Sequence, residues 1–380
     1  FFASMFYNIF MREIIDLTKK ISEIPSVSGN ELRLLEFLRD FLKEQGGEVW
    51  QNQDFVAGLF RGRQAKRAVI LTGHIDTVSA GDLVGWQNSP WNLQEDNEKI
   101  SALGVCDMKA AVAAEFITGI NFWRENQPNF DIWLVAVANE ETDGSGSANF
   151  CEWFKENNFN YDEISGIIGE PTNLTQIEVG HRGNHFIELD FNGISGHASV
   201  QDNFKKSALF KANNFLNNLE EITNQAKQKF SNEILGMPSL VPTSIVAGDS
   251  TSPNKTAASA KIIIDARTTP KMDKNFDSFW REVAEEFDFT WKYAVTPVPA
   301  SLVSSESKTV KALLKAVCLE SSAITVSPGA TDQGEFVERL GADVVVFGPG
   351  DFSQAHRQNE YILKSKIQDF AKIIDGFLKE

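Results

Sequence analysis

Cysteine is scarce in this 380-residue chain: Cys106, Cys151 and Cys318 are the only three, they are far apart, and no CxxC pair occurs. Such spacing excludes a disulfide framework and fits a reducing compartment, so a cytoplasmic location is expected. Positive charge is also in short supply. The 36 Lys and Arg against 52 Asp and Glu leave a net charge of −16, which argues against nucleic acid or an anionic membrane as partner. No apolar run approaches the length that spans a bilayer, and neither an internal repeat nor a low-complexity linker occurs. The opening FFASMFYNIFM is Phe-rich without a basic n-region, so it does not read as a signal peptide. Translation is expected to start at Met5 or Met11, with residues 1–11 standing outside the core as an extension.

What is present is the composition of an ordinary globular protein, 42% hydrophobic and 23% charged, in a chain longer than one core usually serves. Residues 12–178 alternate helical and strand patterns: ELRLLEFLRDFLKEQG, RAVILTGH, DMKAAVAAEFITGI, DIWLVAVA, SANFCEWFKENN and ISGIIG. Continuous Val/Ile/Leu strands between helices indicate a mostly parallel sheet covered on both faces. The pattern returns over 296–380, with SKTVKALLKAVCLE, ADVVVFG and a closing helix from KSKIQDF onward. Residues 179–295 read instead as β-α-β-β-α-β, the ferredoxin-like order. The expected architecture is an α/β domain of residues 12–178 and 296–380, interrupted by a small inserted α+β domain of residues 179–295.

Residues 135–144, VAVANEETDG, end an apolar run in two adjacent carboxylates, Glu140 and Glu141. Like charges closing a buried strand either stay solvated or share a cation. The other strands end similarly. AVILTG runs into His74 and Asp76, GIIG into Glu170, and VVVFGPG, after a short loop, into His356, while Asp107 follows the Gly104 turn. Ligand sites of parallel α/β sheets lie beyond the carboxyl ends of the strands. Taken singly, each residue has a plainer role: a lone His is more often a satisfied core histidine, and Asp107 fits a helix N-cap. Together they form a mixed nitrogen and oxygen set suited to Zn²⁺, with one carboxylate of the Glu140–Glu141 pair left over as a base. In a strand, i and i+2 share a face, so Asp76 is placed to hold the His74 imidazole. His181 and His185, at i and i+4 of a strand, share a face as a third metal pair would, but fit better as residues lining the inserted domain or its interface.

LTGHIDTV, GVCDMKAAVAA, ANEETDGSGS, GEPTNL, GHRGN, GISGHAS, GATDQGEF and FGPGDFSQAHRQNEY occur in this order. In order and spacing the chain, over nearly all of residues 12–380, resembles the di-zinc aminoacylase and carboxypeptidase family, in its acetylornithine deacetylase and succinyl-diaminopimelate desuccinylase branch. The resemblance implies a zinc-exopeptidase-like catalytic domain, with the insert as a lid and dimerisation domain. It implies that His74 and Glu170 hold one zinc and Glu141 and His356 the other, with Asp107 bridging. Co²⁺ or Mn²⁺ are substitutes for zinc. Glu140 would be the general base, with Asp76 behind His74. His197 would reach the substrate carbonyl, often across a lid-to-lid homodimer, and Arg267, Asn254, Arg182 and Thr331 would face the substrate. Two departures stand out: the family's Asn-Val-Val/Ile-Pro is Asn254-Lys255-Thr256-Ala257, and the Gly of its DMKG is Ala110.

The implied reaction is removal of the acyl group from a small N-acyl-L-amino acid. Desuccinylases typically show Gly-Arg-Arg-Gly at the start of the lid and Gly-Arg-Phe after a Thr/Ser-Asp pair. Here the same places read Gly180-His181-Arg182-Gly183 and Gly334-Glu335-Phe336. Guanidinium is the natural partner of a distal carboxylate, so its loss favours a neutral acyl group, as in acetylornithine deacetylases. Succinyl-diaminopimelate, dipeptides and a non-catalytic, metal-free role are the alternatives.

Overall fold

The computed structural model describes residues 2–317, 323–327 and 329–380, with side chains from Ile9 onward. Cys318 and the end of the SKTVKALLKAVCLE segment lie outside these. The described residues form two compact units, one of residues up to Gly180 with Val303–Ser327 and Thr331–Glu380, the other of His181–Leu302.

The first unit is built on a mostly parallel sheet. Strands β1 (Arg67–His74), β2 (Asp131–Val137), β3 (Glu163–Ile168) and β4 (Asp343–Val346) lie in the order β2-β1-β3-β4, every pair parallel. Antiparallel strands extend both edges: Phe55–Phe60 pairs with β2, and Ile177–His181 meets β4 through Val346 and Glu178. All of β2 is buried, and all of β1 after Arg67. That is why these strands read as continuous apolar runs rather than alternating ones: helices cover both faces. The helix Ala110–Asn126 is buried all round from Ala110 to Ile120, its alanines allowing close approach. Peripheral helices are amphipathic, as in Leu32–Glu44, which buries Leu34, Leu35, Leu38 and Leu42.

The expected extension is helical: one helix runs Phe2–Ser22, with no Gly or Pro to stop it, and among the side chains described burial begins at Ile14. The expected helix start at Asp107 is displaced. Gly104 turns the chain with φ 77°, Val105–Lys109 form a tight irregular turn, and the regular helix begins only at Ala110.

The second unit has four antiparallel strands in the order Ser239–Ala247, Ser259–Thr268, Gly183–Asn192, Thr290–Tyr293. Gly183–Asn192 and Ser259–Thr268 alternate buried and half-buried residues, so one sheet face carries the core. Ile187, Leu189, Ile262 and Ile264 pack there against Phe215 and Trp280 of the helices Ala208–Phe230 and Phe276–Phe287. Residues 296–302 stay with this unit because Val298 exchanges backbone hydrogen bonds with Asn184, and the Ala300 N–H donates to Asp273. Among the described residues, no helix is long and apolar enough to cross a membrane.

Glu115 lies within the fully buried helix of the first unit, and neither of its carboxyl oxygens is hydrogen-bonded. Loss of solvent pushes its pKa well above the ordinary carboxylate range. The folded chain therefore keeps this proton to higher pH than the unfolded chain, which loses it in the ordinary carboxylate range. With more protons bound when folded, this group makes stability fall as pH rises from the unfolded carboxyl value towards the folded one. Glu115→Met keeps the volume and removes the polar end. It is expected to raise the unfolding free energy at pH 7 by about 1–3 kcal/mol. Denaturant melts at pH 5 and pH 8 check this, the gain being larger at pH 8.

Candidate metal centre

The carboxyl ends of the parallel strands converge on one place. β1 ends at His74, β2 leads through Asn139 into Glu140 and Glu141, β3 leads into Glu170, and the loop after β4 carries His356. Asn139 turns with φ 60°, and Gly146 follows where any side chain would strike the Ala138 carbonyl, 2.1 Å from a Cβ. The Glu140–Glu141 turn is thereby folded back over the strand end.

Asp107 stands between the two imidazoles. His74 Nε2 lies 3.0 Å from Asp107 Oδ1 and 3.8 Å from Glu170 Oε1. His356 Nε2 lies 3.5 Å from Asp107 Oδ2 and 2.8 Å from Glu141 Oε1. Two triads result, His74–Asp107–Glu170 and Asp107–Glu141–His356, each with its donor atoms within 4.8 Å of one another. Asp107 belongs to both. It is not the cap of the following helix, whose N-cap is Lys109.

The charge state of the cluster fits a cation. Burial opposes a charged His74, but Glu170, Asp107 and Asp76 outweigh it and hold the imidazole pKa well above its ordinary value. Burial drives Glu170 and Glu140 well up, and neighbouring carboxylates drive them further, with His74 opposing. The hydrogen bond from His356 to Glu141, more than their attraction, raises the His356 pKa. Protons thus gather where positive charge is wanted.

Asp76 performs a somewhat different task from the one expected. Nδ1 of His74 is nearest the Asp76 backbone carbonyl, at 3.1 Å, with the carboxylate at 3.5 Å. That carboxylate instead accepts the N–H groups of Glu140 and Glu141, both at 3.1 Å, and the Ser28 hydroxyl at 2.7 Å. It ties the end of β1 to the end of β2; burial would raise its pKa, but His74 first, and then the Ser28 and Glu141 hydrogen bonds, keep it low.

Three supporting residues escape sequence reasoning. Glu360, buried, accepts the N–H groups of Gly104, Cys106 and Asp107, and burial moves its pKa to about 7. Lys109, fully buried, donates to the Ile21 carbonyl, and burial lowers its pKa to about 8. Asp332 is buried close enough to Glu140 to raise it, and burial lifts its own pKa to about 7. Glu360 closes the quoted FSQAHRQNEY stretch, but a carboxylate that binds backbone rather than metal has no spacing signature. Cys106 is buried against the Asp351 backbone, with burial pushing its thiol pKa up, as a packing residue would be.

The remaining candidates have local partners. Thr331, in the first unit, accepts the Gln333 N–H. In the second unit, exposed His197 is bonded through Nδ1 to the Ser199 hydroxyl, and Asn254 offers its carbonyl to the Ala198 N–H. Arg267 forks onto Asp265 at 2.9 and 3.1 Å, and Arg182 donates to the Met237 carbonyl. His181 and His185 are buried rather than lining a surface, and His185 Nε2 lies 3.2 Å from Asp273.

Because a cation requires its ligands deprotonated while burial and neighbouring charges shift His74 and Glu170 towards their protonated forms, titrating a divalent ion into the metal-free chain at pH 7 is expected to release protons. Calorimetry in buffers of different ionisation enthalpy measures this, and affinity should increase with pH. Glu360→Ala frees the turn beneath Asp107 and is expected to lower metal affinity about 10- to 100-fold, read from the same titration.

Residues 70–380 match the model of the peptidase family M20/M25/M40. The chain is 28% identical to an acetylornithine deacetylase of Buchnera aphidicola subsp. Acyrthosiphon pisum (strain Tuc7), over 96% of this chain and 97% of the other. It is 27% identical to a probable succinyl-diaminopimelate desuccinylase of Staphylococcus aureus (strain Mu50 / ATCC 700699), over 94% of this chain and 96% of the other. In structure it is similar to an M20 family metallo-carboxypeptidase from Sulfolobus solfataricus, with TM-score 0.75 and 18% identity over 97% and 98% of the two chains. That likeness bears on the fold alone. The motifs and the family model agree: the chain belongs to the peptidase family M20/M25/M40 and is a metal-dependent hydrolase of amide bonds.

Proposed function

We propose that the chain removes the acyl group from an N-acyl-L-amino acid with two zinc ions, and that its substrate is acetylated, as N-acetyl-L-ornithine is. The observation that carries this reading is the pair of triads sharing Asp107, with Glu140 beside them and free of either triad. His74, Asp107 and Glu170 would hold one ion and Asp107, Glu141 and His356 the other, cobalt or manganese being able to replace zinc. When bound, the ions supply Lewis acidity to a water and to the amide carbonyl.

The protein's own groups do the rest. Glu140, held by its backbone N–H on Asp76, takes a proton from the attacking water and returns it to the leaving amine. Asp76 keeps that base and the Glu141 ligand in one register. His197 is assigned the donor role towards the developing oxyanion, and Arg267, Asn254, Arg182 and Thr331 the substrate contacts, on the strength of the resemblance. A homodimer through the second unit and a cytoplasmic location belong to the same reading.

An acetyl group is favoured over succinyl because of Glu335. At the place where desuccinylases show an arginine, this carboxylate is buried and paired with Arg339, which also reaches Glu152 at 2.7 Å. Among the described residues, no cation stands free there for a distal carboxylate. A non-catalytic role is opposed by the intact ligand set.

Amine release from N-acetyl-L-ornithine and N-succinyl-L,L-diaminopimelate, each with added Zn²⁺, tests the proposal. The acetyl substrate is expected to be the better one, and Glu140→Ala to lower kcat about 10²- to 10⁴-fold while the metal content stays the same. Preference for the succinyl substrate would overturn the acyl assignment. Unchanged turnover in the variant would remove Glu140 from its role.

A further inference from the structure

Three arginines meet in one cleft of the first unit. A cavity of about 450 Å³ is lined by Arg61, Gly62, Arg63, Trp123, Arg124 and Gln127, with no carboxylate among them. Two other clefts of the chain mix both signs. One sets Glu163 and Glu380 among its lysines, and the other sets Asp277, Glu285 and Asp288 against Arg281 and Lys292. In a chain of net charge −16, a cleft walled by the scarcer sign alone needs a reason.

The fold brings these residues together from two directions. Arg61 and Arg63 follow the strand Phe55–Phe60, and a Cβ on Gly62 between them would fall 2.3 Å from the Phe130 carbonyl, so the chain is pressed against the start of β2. Trp123, Arg124 and Gln127 come from the end of the helix Ala110–Asn126, and the Trp123 indole donates to the Arg61 carbonyl at 2.9 Å. Each guanidinium is steadied by some of its donors. Arg63 donates through Nε to the Gln127 carbonyl and through Nη2 to that of Asn126. Arg124 donates through Nη2 to the carbonyl and the side chain of Gln45, and Arg61 through Nε and Nη2 to Glu48. Singly, these are ordinary roles: Arg63 satisfies a helix end, Arg124 ties two helix ends together, and Arg61 makes a surface ion pair. None of those roles spends an Nη1 group, and the nearest acid to one, Asp131, is 3.7 Å from that of Arg61. What the single roles leave unexplained is the convergence. Three like charges in one cleft repel one another, and a multiply charged anion between them relieves that repulsion.

We propose that this cleft binds phosphate, either the free ion or the phosphate of a small ester carrying a flat ring, such as a nucleotide. Several oxygens sharing nearly two negative charges suit several guanidinium donors, and the Trp123 indole gives an attached ring a flat apolar wall. The cleft is separate from the metal centre. Phe60 pairs with Ile132 near the amino end of β2, whereas Glu140 and Glu141 follow its carboxyl end, about 20 Å away at about 3.3 Å per residue. The inference therefore does not rest on the proposed activity.

Calorimetric titration with inorganic phosphate, AMP and adenosine tests it on the metal-loaded full chain, on Arg63→Gln/Arg124→Gln, and on Gln127→Glu. The last variant sets a carboxylate in the cleft and leaves all three arginines in place. Both variants are expected to bind phosphate and AMP about 10- to 100-fold more weakly than wild type. Adenosine is expected to bind to none of the three. AMP binding more tightly than phosphate assigns an ester with its ring on Trp123, and equal affinities assign the free ion. A wild type that binds neither phosphate nor AMP overturns the proposal. So does equal binding by wild type and both variants, which would put the ion at the metal centre instead. If the double variant melts at a lower temperature than wild type, Gln127→Glu decides: weaker binding sustains the site and unchanged binding ends it.

Discussion

Asp107 must stand between two imidazoles, and much of the first unit is arranged to hold it there. Its turn has no regular helix or strand to support it. Support comes instead from three distant parts of the chain: Glu360 takes three backbone N–H groups, Lys109 is fastened to the Ile21 carbonyl, and Cys106 rests on the Asp351 backbone. Buried N–H groups need partners, and a carboxylate taking three of them replaces the missing secondary structure. The burial this requires is costly for Glu360 and Lys109 individually, which is why one is raised to about 7 and the other lowered to about 8. Each eases the other, since Glu360 is the leading influence that favours the charged form of Lys109.

Asp76 does for the strand ends what Glu360 does for the turn. β1 and β2 are neighbours in the sheet, so their ends are already adjacent. The Asp76 carboxylate adds direction by holding the backbone of Glu140 and Glu141 while His74 leans on the same residue. Glu140 and a member of each triad are thus fixed by one residue that belongs to neither triad.

These differences explain what could be read from the sequence. Ligands at the ends of buried parallel strands follow from a rule of sheet geometry, and continuous apolar runs make the strands visible, so His74, Glu141 and Glu170 were legible. From its own position Asp107 was legible only as a candidate, its bridging place coming from the family resemblance, because an Asp after a Gly turn looks the same whether it caps a helix or faces a metal. Glu360 and Lys109 were not legible: they bond to backbone, and backbone hydrogen bonding leaves no residue pattern to count. Composition marked residues 1–11 as an extension but carried no signal for their helix, which needs only the absence of a breaker. For Asp76, i and i+2 spacing locates the side chain beside His74 without saying which of several donors it will choose.

The same electrostatics bear on substrate choice. A chain of net charge −16 that gathers five carboxylates around two imidazoles draws cations towards the site. Two divalent ions would cancel much of that local charge, but the long-range field stays negative and opposes any anionic substrate. An amino acid with a basic side chain, such as acetylated ornithine, is attracted by that field, while its α-carboxylate is repelled. Attraction at long range therefore does not position the molecule. Positioning needs short-range donors, because screening leaves contact pairs strong and distant charges weak.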